Sequence, residues 1–197
     1  MESDLKADVE SLIDEITRTV NINVSAQIVS ATLRKFYLSA IEDMETKFDM
    51  NFTMDEDKLK FLTTYTFDNI KDLNNYAKES LRKELSQGIM NLEGVDKLQE
   101  RIKDVMDTTK NRARLIARTE ANRALNMASL DAARQSGLNI EKKWLSKLDD
   151  KTSQVCKDLD GKQIPLNEKF SHKGELYDSP PAHPNCRSTL QYIQVKS

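Results

Sequence analysis

Apolar residues recur at three- and four-residue steps through the first two thirds of the chain, a spacing that lays them along one face of a helix. Leu5, Val9, Leu12, Ile13 and Ile16 predict a helix over 4–20 with acids on its other side. Asn21-Ile22-Asn23 interrupts the pattern. A second helix is predicted from about Ser25 to Phe48 on Ile28, Leu33, Phe36, Leu38 and Ile41. Thr53-Met54-Asp55-Glu56 supplies caps for a third, which carries Leu59, Leu62, Tyr65, Phe67, Ile70, Leu73, Tyr76 and Leu81 towards Gln87. Gly88 and Gly94 are read as flanking a turn, followed by helices at about 95–107 and 110–136, the second ended by Gly137. Ala113, Ala117, Ala121, Ala124, Ala128, Ala132 and Ala133 give that last helix a face of small side chains, which predicts close packing against another element.

After Gly137 the periodicity changes. Ile140–Leu145 and Ser188–Val195 read as strands, the latter by its alternation of apolar and polar residues, and Lys162-Gln163-Ile164 as a third. Asp150-Lys151-Thr152-Ser153 offers caps for a short helix that carries Cys156. Every proline (Pro165, Pro180, Pro181, Pro184) lies beyond Gly137, and their absence before it permits long uninterrupted helices. The expected class is α+β: a long-helix N-terminal region, then a small C-terminal part with a short antiparallel sheet.

Composition narrows the picture modestly. A net charge of −2 over 197 residues does not call for nucleic acid, and no apolar run approaches the roughly 20 residues that cross a bilayer. The acidic start, Met1-Glu2-Ser3-Asp4-Leu5, has no apolar signal core, so synthesis and use in a cytoplasm with reduced or metal-bound cysteines is expected. Charge is unevenly spread, with net −6 over 1–60 and +5 over 101–143.

Chemistry gathers at the C-terminal end. Both cysteines and both histidines (Cys156, His172, His183, Cys186) fall within a turn-rich segment. Three readings fit them. Cys156, His183 and Cys186 can bind zinc with His172 or Asp150 as fourth ligand, which would contribute on the order of 10–16 kcal/mol to a small fold. A Cys156–Cys186 disulfide would contribute roughly 3–4 kcal/mol. Alternatively, both are buried free thiols. Convergence is expected in any case, since pairing the strand after Cys186 with the strand around Trp144 brings both cysteine-bearing ends to one sheet edge.

Arg118, Glu120, Asp149 and Arg187 read as a polar cluster docking the alanine-rich helix to the C-terminal part. An enzymatic alternative makes Glu120, His183 and Arg187 the acid/base and phosphate-binding groups of a nuclease or ADP-ribosyl transferase. The chain has no glycine-rich phosphate loop. Arg101, Lys103, Lys110, Arg112, Arg114, Arg118 and Arg123 form a basic stretch that either contacts DNA phosphates or is an ion-paired helix face.

The ordered set Ala117-Arg118-Thr119-Glu120 with Asn122, Trp144, Asp149 through Cys156, Leu159-Asp160-Gly161 and Pro180 through Ser188 resembles the Mu F-like minor head proteins, the phage head morphogenesis family, over roughly 80–195. That resemblance implies a virion protein of a tailed phage or prophage, made in the bacterial cytoplasm and placed inside the capsid in few copies. Its implied partners are portal, capsid or scaffolding proteins and DNA, with roles in head assembly or DNA delivery and no agreed catalytic role. Some members carry Cys-x-x-Cys where this chain has Cys156 followed by Leu159. The implied organisation is a helical region 1–79, a helical part 80–137 and a small mixed part 138–197.

Overall fold

A computed structural model describes residues 26–91 and 93–195; the helix expected over 4–20 lies outside them. The element order is α1 (Ala26–Phe48), α2 (Glu56–Met90), α3 (Val95–Gln135), β1 (Ile140–Leu145), α4 (Gln154–Leu159), β2 (Gln163–Pro165), β3 (Phe170–His172), β4 (Glu175–Tyr177) and β5 (Thr189–Gln194). This is an α+β chain. Two compact units divide it, with boundaries inside α2 and α3: residues 67–114 belong to one, and 26–66 with 115–195 to the other. No helix among the described residues is long and apolar enough to cross a membrane.

In the first unit Leu81, Leu85 and Val105 are buried, with Leu98, Ile102 and Met106 packed around them. One expectation holds here and one fails. Gly88 and Gly94 flank the turn between α2 and α3, Gly88 from within the last turn of α2, where a Cβ would stand 2.5 Å from Leu98 Cδ2, so its bare backbone admits the leucine. The helix break expected near residue 108 is absent and α3 runs 41 residues unbroken. Buried Thr109 sits inside the continuous helix and bonds its hydroxyl back to the Val105 carbonyl at 2.8 Å.

The second unit contains the main core. Met44, Leu130, Ala132, Ala133, Ile140, Trp144, Leu159, Leu166, Phe170, Leu190 and Tyr192 form its buried cluster. The alanine face of α3 does what its small side chains allow, since Ala124, Ala128, Ala132 and Ala133 are wholly covered. In α1, Leu33, Tyr37, Ala40, Ile41 and Met44 are buried at helical spacing. The Tyr37 hydroxyl donates to Asp131 at 2.6 Å, and Lys58 pairs with the same carboxylate. Asp55 caps α2 by accepting from the Lys58 amide at 3.1 Å.

The sheet runs β2-β1-β5, antiparallel throughout, with Trp144 opposite Leu190 and Lys142 opposite Tyr192. Ile140, Lys142 and Trp144 face inward along β1. Lys142 is a buried lysine in a row of apolar residues, and its ammonium reaches the Asp178 carboxylate at 2.7 Å and the Asp178 carbonyl at 2.9 Å. The β3–β4 hairpin was not expected. Its strands are three residues each and only Phe170 among them is buried, but its turn is chemically plain: Lys173 and Gly174 both take positive φ, 49° and 86°, as a two-residue type I′ connection requires.

Candidate functional site

Two segments build the site. Ser153 caps α4: its side-chain oxygen accepts the Cys156 amide at 3.4 Å and starts the helix that fixes Cys156. The loop before β5 carries the other groups, with a turn from the His183 carbonyl to the Cys186 amide at 3.2 Å. Pairing of β1 with β5 closes the two together, as the strand argument required.

The convergence is tight. Cys156 Sγ lies 3.6 Å from Cys186 Sγ and 3.1 Å from His183 Nε2, and the three ligand atoms all fall within 4.8 Å of one another. Both cysteines are free and buried, and burial pushes the Cys156 thiol above its ordinary pKa. The Ser153 hydroxyl sits 2.7 Å from His183 Nε2. His183 Nδ1 lies 2.7 Å from the Pro184 carbonyl, which can only accept, so Nδ1 donates there and Nε2 is the ring nitrogen that faces Cys156 Sγ. Ser188 donates to Cys156 Sγ at 3.3 Å. Two thiols and an imidazole are the groups here that can hold a soft metal ion. His172 is not among them, because its Nε2 meets Asp158 at 2.9 Å; nor does Asp150 join the group.

The alanine-rich helix docks on this loop through residues that share only Arg118 with the expected charge cluster. Asn122 donates to the carbonyls of Cys186 at 3.0 Å and Ser188 at 3.2 Å. The Thr119 hydroxyl accepts the Asn185 amide at 2.8 Å, with Asn185 held at positive φ (63°), and Arg118 reaches the Asn185 side chain at 3.1 Å. Glu120 is buried but pairs with Arg123 on its own helix at 3.0 Å. Arg187 and Asp149 pair with each other inside the C-terminal part. Neutral hydrogen bonds to backbone make most of the joint, because the loop carbonyls left free by the turn need donors.

The remaining motif residues frame the cluster. Trp144 is fully buried, edge-on to Phe170, and its carbonyl accepts the Gly161 amide at 2.8 Å. Asp160 accepts the Ser146 amide at 2.7 Å, and the Ser146 hydroxyl donates to the Cys156 carbonyl at 2.8 Å. Sequence reasoning missed the parts played by Ser146, Ser188 and Pro184. The one available signal was Ser153, a capping residue three positions before Cys156. In the basic stretch, Arg101 pairs with Glu84 and Glu93, Lys110 with Asp107, and Arg112 lies over the Tyr76 ring at 3.7 Å. Many of these cations therefore already have partners.

Residues 79–191 match the family described as Phage Mu protein F like protein. The chain is 34% identical over 119 residues to the "Minor head protein GP7" of Bacillus phage SPP1, covering 55% of this chain and 38% of the relative. It is 32% identical over 97 residues to the "NAD(+)--arginine ADP-ribosyltransferase EFV" of Enterococcus faecalis, covering 45% of this chain and 20% of that protein. It thus spans well under half the length of either relative. No solved structure matches it. With more than half of its residues inside the family match, the chain belongs to the Phage Mu protein F like family.

Proposed function

We propose that this chain is a minor head protein of a tailed phage or prophage, made in the bacterial cytoplasm and incorporated into the capsid during head morphogenesis. The observation that carries the reading is the docked joint just described. Arg118, Thr119, Asn122, Asn185 and Cys186 meet there, and all lie within the family match over residues 79–191. On this reading the joint holds the C-terminal part rigid, and the partners are portal, capsid or scaffolding proteins on the capsid interior. Action in DNA delivery belongs to the same proposal.

The enzymatic alternative draws less support. Of its three groups, Glu120 is engaged by Arg123 and Arg187 by Asp149, while His183 faces Cys156 and Ser153. The stretch shared with the transferase relative is a fifth of that protein. The test is deletion of the gene in the encoding phage. Infectious particles should fall more than bulk capsid formation does. Unchanged infectivity, or NAD-dependent arginine modification by the purified chain, would overturn the reading.

A further inference from the structure

We propose that Cys156, His183 and Cys186 form a three-ligand centre for a soft divalent cation, zinc foremost, whose fourth position is taken by a water molecule rather than a side chain. This stands independently of the head-protein reading.

The spacing fits the ion. Two thiolates on one tetrahedral zinc, each about 2.3 Å from it, sit roughly 3.8 Å apart, and the observed sulfur separation is 3.6 Å. His183 Nε2, 3.1 Å from Cys156 Sγ, completes a third corner. Its tautomer is set from outside the cluster, by the Nδ1 proton given to the Pro184 carbonyl, which is how a ligating histidine is aimed. Ser188 donates to the Cys156 sulfur and would stabilise it as a thiolate. Binding releases both thiol protons to solvent, so two S⁻ groups offset the 2+ charge and the buried centre is neutral overall.

The fourth corner is what distinguishes this site from a closed structural zinc. This chain has no third cysteine, and His172 is bonded to Asp158. Beside the cluster is a cavity of about 10 Å³, lined by Ser153, Cys156, His183, Arg187 and Ser188 among others, enough for about one water. The Ser153 hydroxyl, 2.7 Å from Nε2, borders it and can hold that water. Three protein ligands with an open position is the arrangement that accepts exogenous ligands, and the exposed Lys147 and Lys151 at this cavity favour anions.

The experiment uses the full chain purified without chelator, its metal measured by elemental analysis, then zinc exchanged for cobalt. One zinc per chain is expected, lost in Cys186→Ser and His183→Ala and kept in His172→Ala. Because the first two variants can fail to fold, the unmutated chain's cobalt spectrum provides the second measure. It should show thiolate-to-cobalt absorption and tetrahedral visible bands that shift on addition of thiocyanate. Four outcomes would each overturn the proposal: no stoichiometric metal with two titratable thiols, a Cys156–Cys186 disulfide, metal retained by folded His183→Ala, or cobalt bands indifferent to thiocyanate.

Discussion

Arg187 grips Asp149 with two parallel hydrogen bonds, Nη1 to Oδ2 at 2.7 Å and Nη2 to Oδ1 at 2.6 Å, one residue beyond Cys186. The pair ties the loop of the second cysteine to the turn that precedes α4 and the first. Its hydrogen bonds from Arg187, helped by Thr152 and the Lys151 amide, outweigh partial desolvation and hold the Asp149 carboxyl well below the usual carboxylate range.

A pH dependence follows with a definite sign. Asp149 is more acidic folded than unfolded, so its contribution is complete above the ordinary carboxylate pKa of about 4 and is lost as pH falls towards the folded value. Acid titration of stability should therefore be shallower in Asp149→Asn than in the unmutated chain. Superimposable acid limbs would show that the pair does not tie the loop.

At the docked joint, Asn122→Ala removes the donor shared by the Cys186 and Ser188 carbonyls. Leaving such groups unmet costs about 1–3 kcal/mol, so the denaturation midpoint should drop. Arg118→Ala, at an exposed side chain that bonds the Asn185 side chain, should stay within about 0.5 kcal/mol of the parent. Equal effects of the two, measured by chemical denaturation, would contradict a joint made by backbone satisfaction.

Lys142 and Asp178 give an asymmetric pair of predictions. Asp178→Ala strands a buried ammonium and should cost about 3 kcal/mol, whereas Lys142→Met leaves Asp178 still held by Arg134 and should change stability by about 1 kcal/mol or less. Burial, only partly offset by Asp178, holds the Lys142 pKa below that of a free lysine. The unfolded chain therefore binds more protons as pH rises into the alkaline range, and Asp178→Ala should regain stability there. Denaturant titrations of both variants at neutral and alkaline pH would check this, and a loss in Lys142→Met as large as in Asp178→Ala would contradict it.

Much of this arrangement was readable from residue pattern. Alternation placed β5, the alanine face anticipated the burial of Ala124 through Ala133, and the strand pairing brought Cys156, His183 and Cys186 together. What stayed hidden depended on partners distant in sequence. Gly88 and Gly94 mark the turn correctly, but that Leu98 packs against Gly88 is visible only in the fold, and the break expected near residue 108 gives way to one continuous helix. Glu120 and Arg187 read as one cluster because charge pattern shows that a carboxylate needs a cation without showing which. His172 reads as a ligand because two histidines near two cysteines are chemically equivalent on paper, and only the fold gives it to Asp158.

The head-protein reading is tested most directly by quantifying this chain in purified procapsids. Procapsids assembled in a host that expresses the chain with its phage's portal, scaffolding and capsid proteins should contain it as a minor component that survives washing. Procapsids that form normally in its presence and contain none of it would contradict the account.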